Sequence, residues 1–170
     1  MKQFSKAFWV ANSVELLERL AYYAVFIVIT LYLSNVWGFT DIEAGAISGV
    51  FSACLYLLPT FVGAYADKIG FRTSILLAFA LLTLGYFGLG LLPTLLEGAG
   101  LVSYGMKTTF TGLNSSHLRW SIVPVMTLIV IGGAFIKAVI SGTVARETTT
   151  ENRARGYAIF YMMVNIGAFT

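Results

Sequence analysis

The chain has 170 residues, of which 58% are hydrophobic and only 11% charged, and its mean hydropathy is +0.81; soluble domains keep roughly a quarter of their residues charged. That composition excludes an ordinary soluble domain and points to an integral membrane chain. The net charge of +3 indicates no nucleic-acid partner, because the basic residues flank hydrophobic runs, where they act as orientation signals.

A spanning helix needs about 20 mainly apolar residues, each adding about 1.5 Å across a hydrocarbon core about 30 Å thick. Five stretches are candidates in chain order: residues 8–33, 44–65, 73–96, 121–145 and 156–170. The fifth is too short to cross comfortably, so the natural protein is expected to continue beyond Thr170. Lys2 and Lys6 ahead of an apolar run are reminiscent of a signal peptide, but the run carries Glu15, Glu18 and Arg19 and continues too long for cleavage. Cys54 lies inside an apolar run with no second cysteine in the chain; it reads as a packing residue and says nothing of the redox compartment.

The connections carry the charge asymmetry that orients a membrane protein. Lys2, Lys6, Lys68, Arg72, Arg146, Arg153 and Arg155 fall on one side, and only Lys107 and Arg119 on the other, within the expected external loop 97–120. The positive-inside rule places the amino terminus in the cytoplasm. His117 in that loop has no acidic or thiol neighbour at ligand spacing and reads as a solvated histidine rather than a metal ligand.

Two cations remain, Arg19 and Lys137, and both fall inside candidate spans. A helical rotation of about 100° per residue puts Glu15, Glu18, Arg19 and Tyr22 on one stripe of the first helix, with Tyr23 beside it. Each ionised side chain near the bilayer centre costs about 2.5–3.5 kcal/mol. Partners or water are therefore required, and two acids against two bases, Arg19 and Lys137, sum to zero. Glu15 and Lys137 are expected at matching depth, each about 7 Å to the cytoplasmic side of the midplane. Such a neutral cluster is a switch in principle, because protonating one carboxylate frees a basic partner for an anionic ligand. Two alternatives stay open on hydropathy alone: a first helix that begins at Leu20, leaving the acids in an interfacial lead-in, and a Lys137 that snorkels to the cytoplasmic surface.

The connection "GAYADKIGFR" has the form GxxxDKxGxR, with Gly63, Asp67, Lys68, Gly70 and Arg72 at the fixed positions. Gly63 permits close helix approach, Asp67 is an acceptor at the helix boundary, Gly70 makes the turn and the basic pair holds the membrane surface. This motif resembles the loop between helices two and three of the major facilitator superfamily, with Phe71 where a basic residue is common. "ELLERLAYY" resembles the ExxER signature and paired tyrosines of the proton-dependent oligopeptide transporter family, which belongs to that superfamily. "LYLLPTFVGAYADKIG", "IVIGGAFIKAVIS" and "GYAIFYMMVNIGAF" are similar in order and position to that family's second, fourth and fifth helices. Leu20 and Ala138 depart from the family's usual phenylalanine and proline.

The resemblance implies an all-α membrane protein with the major facilitator fold, of which this chain is the first five transmembrane helices of the amino-terminal six-helix half. It implies a plasma-membrane symporter, not an enzyme, that imports di- and tripeptides with protons by alternating access and uses no cofactor or metal. Glu15, Glu18, Arg19 and Lys137 would couple the proton. Arg19, Lys137, Tyr22, Tyr23, Tyr56 and Asn165 would contact the peptide. The implied partners are short peptides, protons, membrane lipid and the missing carboxy-terminal half of the same transporter. The rival readings are another facilitator, such as a drug/proton antiporter or a nitrate or amino acid carrier, and a non-transporting membrane scaffold. A hydrophobic-drug exporter has little use for two buried cations, whereas a carboxylate-bearing substrate does.

Overall fold

The computed structural model describes residues 4–104 and 117–169, and these form a bundle of α-helices with no strand among the described residues. In chain order they are α1 (Lys6–Asn35), α2 (Asp41–Ile69), α3 (Phe71–Gly98), a 3-10 turn (His117–Ser121), α4 (Ile122–Glu147) and α5 (Arg153–Phe169). Four of them, α1 to α4, are long and apolar enough to cross a membrane. The α5 helix has 17 described residues, a length of about 25 Å. Residues 105–116, including Lys107 and most of the expected external loop, lie outside the described residues, as do Lys2 and Thr170.

At their amino-terminal ends α1 and α2 begin ahead of the apolar stretches that mark them, because polar residues cap them there. Ser5 caps α1 by accepting from Phe8 N at 3.1 Å, and its hydroxyl also donates to Glu147 at the end of α4. Thr40 and Glu43 form a capping box at the start of α2, satisfying two orphan donors reciprocally. The first helix is unbroken from Lys6 to Asn35, which sets aside a start at Leu20 and puts Glu15, Glu18 and Arg19 inside the helix. At the other end of the bundle, Arg119 reaches Glu43 at 3.3 Å and lies over the rings of Phe39 and Trp120. This contact ties the 3-10 turn to the α1–α2 connection.

A single residue, Gly70, joins α2 to α3 with φ +86°, a conformation that costs an L side chain appreciably and glycine little. The buried Ser74 hydroxyl closes the junction on Ala66 O at 3.3 Å and Gly70 O at 2.9 Å. Asp67 lies in the last turn of α2 and pairs with Arg146 of α4 at 3.6 Å. It serves as a strap between helices rather than as a cap. Lys68 and Arg72 point outward beside it.

The α4 helix is the centre of the bundle, packed on α1, α2 and α3. Of its most apolar window 56% is buried, against 28%, 17% and 22% for α1, α2 and α3. Small residues allow this. A Cβ on Gly132 would sit 2.9 Å from Leu82 Cγ, 3.0 Å from Leu82 N and 3.1 Å from Ala78 O, so α3 and α4 are in backbone contact there. The outer faces carry exposed Ile27, Val28, Leu31, Phe61, Leu84 and Phe87, side chains suited to acyl chains rather than water. Gly132→Val is therefore expected to cost about 1–3 kcal/mol through overpacking, read as a lower thermal midpoint in detergent. Gly90→Ala, where nothing lies within 4 Å, is expected to leave the midpoint unchanged or raised.

Candidate functional site

The polar stripe of α1 is buried. Asn12, Glu15, Glu18, Arg19 and Tyr22 are 0%, 4%, 7%, 3% and 4% exposed, far below the exposure that charged side chains ordinarily keep. Arg19 holds the two acids together. Its Nε donates to Glu18 Oε2 at 2.6 Å and its Nη2 lies 2.5 Å from the same oxygen, while Glu15 Oε1 is 3.4 Å from Nε. Glu15 and Arg19 are i,i+4 neighbours and meet naturally; adjacent residues such as Glu18 and Arg19 do not face each other on a helix. The guanidinium therefore curls along the stripe to reach Glu18, with its Cζ 5.1 Å from the Tyr22 ring centroid.

Three other helices enclose this group. A Cβ on Gly133 of α4 would lie 3.7 Å from Glu18 Oε1 and 2.9 Å from Leu55 Cδ2. One on Gly167 of α5 would lie 2.7 Å from both Arg19 Cβ and Leu16 O, so the α5 backbone seals α1 at the arginine itself. Lys137 of α4 is half-buried and donates from Nζ to Leu55 O of α2 at 3.1 Å. Its ammonium is 4.4 Å from the Tyr56 ring centroid and 6.0 Å from that of Tyr22. It does not snorkel; it turns inward across the α2–α4 seam. The predicted approach of Glu15 and Lys137 is met in part, for both face one cavity but no carboxylate ion-pairs with Lys137 among the described residues.

That cavity has a volume of about 630 Å³ and is lined by Glu15, Arg19, Tyr56, Asp67, Lys137 and Arg146, among others. It runs from the buried cluster to the bundle end that carries Lys68, Arg72 and Arg146, so it presents cations at both depths. A volume of this order suits a small polar ligand. One oxygen of its lining residue Glu15, Oε2, is buried without a hydrogen-bond partner.

The structure brings Glu15, Arg19, Tyr56 and Lys137 to the lining of this cavity; Glu18 and Tyr22 lie behind them on Arg19, and the Tyr23 ring stands edge-on to Tyr22 at 5.1 Å. Asn165 does not join them. It is exposed on α5 and lines a separate shallow depression with Tyr161, Met162 and Phe169. The motif residues separate as well: Gly63, Asp67 and Gly70 line the cavity, while Lys68 and Arg72 do not. Sequence reasoning missed Asn12, Arg146 and Tyr161. Asn12 carries a readable signal, a polar residue three positions before Glu15 on the same face, with Nδ2 donating to Phe8 O at 2.8 Å and Oδ1 unpartnered. For Arg146 and Tyr161 only the packing brings them to the cavity.

In an alignment of 169 positions that covers 96% of the chain, it is 28% identical to the dipeptide and tripeptide permease A of Salmonella typhi. The proteins of that name from Escherichia coli K12 and Proteus mirabilis are 28% and 25% identical over 167 residues, again 96% of the chain. The chain is thus similar in sequence to proteins named dipeptide and tripeptide permease A. It spans only 29–30% of the length of these permeases. The family resemblance first read from ELLERLAYY and GAYADKIGFR thus extends along nearly the whole chain, and the all-helical, multi-pass architecture agrees with a major facilitator membrane protein. No protein-family model matches the chain, and no solved structure matches it significantly.

Removing one member of a buried ion group leaves its partners charged and uncompensated, at about 3–5 kcal/mol. Arg19→Gln is accordingly expected to lower the thermal midpoint in detergent more than Glu18→Gln does. Restoration of stability in the Arg19→Gln background by Glu15→Gln and Glu18→Gln together would identify stranded carboxylates as the cause.

Proposed function

We propose that this chain forms one wall of the substrate site of a symporter that imports short peptides with protons by alternating access. The carrying observation is the buried cluster of Glu15, Glu18 and Arg19, two acids sharing one guanidinium, beside a cavity lined by Glu15, Arg19 and Lys137; the balancing ammonium of Lys137 rests on a neutral carbonyl rather than on an acid. Ionisable groups at this depth are costly, and their use in transport is to take up protons and charged ligands. The relatives' name, dipeptide and tripeptide permease, supports peptides as that ligand.

In this reading a proton arriving at Glu15 or Glu18 loosens the hold of the acids on Arg19. Arg19 and Lys137 then take the peptide carboxylate. The free Oε2 of Glu15 is a ready acceptor for that proton. Tyr22, Tyr23 and Tyr56 supply phenols that hydrogen-bond a peptide backbone without selecting one side chain. Asn165 would contribute from α5 once a facing half closes over its exposed surface. Residues 1–170 act as part of an amino-terminal transmembrane domain, with the amino terminus in the cytoplasm of a plasma-membrane protein and the strap between Asp67 and Arg146 at its cytoplasmic end. Carriers of this fold hold substrate near the midplane between two rocking halves, so the matched part of the permeases supplies only one side.

The test is uptake of labelled dipeptides into proteoliposomes by the natural full-length protein, with and without an inward proton gradient. Accumulation is expected only with the gradient, and Glu18→Gln and Lys137→Ala are each expected to reduce it at least about tenfold. Gradient-independent accumulation, or normal uptake in both variants, would remove the coupling assignment. Uptake of drugs or nitrate in place of peptides would move the chain to another carrier class.

A further inference from the structure

A proline inside a helix has no N–H, so the carbonyl four residues earlier loses its helical donor. In α2 that proline is Pro59, and the carbonyl belongs to Leu55, a residue only 1% exposed. A backbone carbonyl left unpaired at membrane depth is costly, and neighbouring helices commonly supply the missing donor. Here the donor is the ammonium of Lys137, 3.1 Å from Leu55 O. The ring of the next residue, Tyr56, lies 4.4 Å from the same nitrogen, and the Tyr22 ring 6.0 Å away. The cation thus rests in a cradle of neutral groups, while the nearby carboxylates are held by Arg19.

We propose that Pro59 is a positioning residue for Lys137: by withholding one backbone N–H it reserves the Leu55 carbonyl as the resting acceptor of the ammonium and keeps that cation off Glu15 and Glu18. The ligand that finally claims Lys137 is the anionic group of the transport reading above, but the parking of the lysine does not depend on that reading. A carbonyl and two ring faces hold an ammonium less strongly than a carboxylate does in a site shielded from water. A ligand carboxylate entering the cavity therefore displaces the carbonyl readily. A prior ion pair with Glu15 or Glu18 would instead compete with it on equal terms. With alanine at position 59 the helix makes its own bond to Leu55 O, and the ammonium falls back on the acids.

The experiment follows acylation of Lys137 by a small activated ester, read by mass spectrometry on the natural full-length protein in nanodiscs. Pro59→Ala and Pro59→Gly are both expected to slow it about fivefold or more, since a carboxylate withholds the amine more firmly than a carbonyl. The rate is expected to return to that of the native protein when Glu15→Gln and Glu18→Gln are added. An unchanged rate in the Pro59 variants, or a slowing that survives removal of both carboxylates, would overturn the proposal. If neither variant folds, replacing the amide between Leu55 and Tyr56 by an ester, a weaker acceptor with Pro59 in place, is expected to give the same slowing, and an unchanged rate there overturns the proposal equally. In binding measurements, Pro59→Ala is expected to weaken a dipeptide with a free carboxylate about tenfold and to spare its carboxy-terminal amide, because only the former draws on Lys137. Equal weakening of both peptides would make Pro59 merely structural. A native protein that binds neither peptide would overturn the transport reading and leave the acylation rates to decide on Pro59.

Discussion

The bundle is organised by the need to bury Glu15, Glu18 and Arg19 together within a helix that is long and apolar enough to cross a membrane. Arg19 pairs with both acids from one helix, using an i,i+4 approach to Glu15 and a closer, folded-back approach to Glu18. Its planar guanidinium presents several donors in a fixed fork, which lets a single cation serve two acceptors. Exclusion of lipid from the cluster then demands close helix approach on every side. That is why Gly133 of α4 and Gly167 of α5 stand where a larger side chain would strike Glu18, Leu55 or the α1 backbone.

Sharing Arg19 between the acids leaves the fourth charge to be accommodated elsewhere. Lys137 finds its acceptor on α2, at the carbonyl that Pro59 frees. Two devices thus accommodate the interior charges: intrahelical ion pairs on α1, and an interhelical bond from a charged side chain to a broken backbone ladder. The second is the easier to reverse, since helix-breaking prolines at membrane depth depend on neighbours for their missing donor. The cavity opens beside this junction and extends to the strap formed by Asp67 and Arg146. A movement of α2 relative to α4 would therefore act on the lysine and on the strap together.

The first four spans were legible from hydropathy because each runs for about 20 or more mainly apolar residues, and the caps at Ser5 and Thr40 account for the residues added at the amino-terminal ends of α1 and α2. The stripe of Glu15, Glu18, Arg19 and Tyr22 was legible from helical periodicity alone, since all four lie on one element. Lys137 was legible as a buried cation but not in its partner. Depth matching pointed to Glu15, and the structure pairs it with a backbone carbonyl, an acceptor that every residue carries and that side-chain bookkeeping therefore overlooks. Asn165 was placed with the site by resemblance, yet it faces outward on α5. A five-helix bundle fixes its rotation only by contacts on one side.

Composition and periodicity by themselves determined a helical membrane chain, the charged face of α1 and the neutrality of its interior, because these follow from residue type and the 3.6-residue turn. Which acid Arg19 grips most closely, where Lys137 rests and which of Asp67 and Arg146 meet were decided only by tertiary structure. Those outcomes depend on how near α4 and α5 can come to α1 and α2, a distance set by glycines and a proline whose effect is felt on a neighbouring helix rather than on their own.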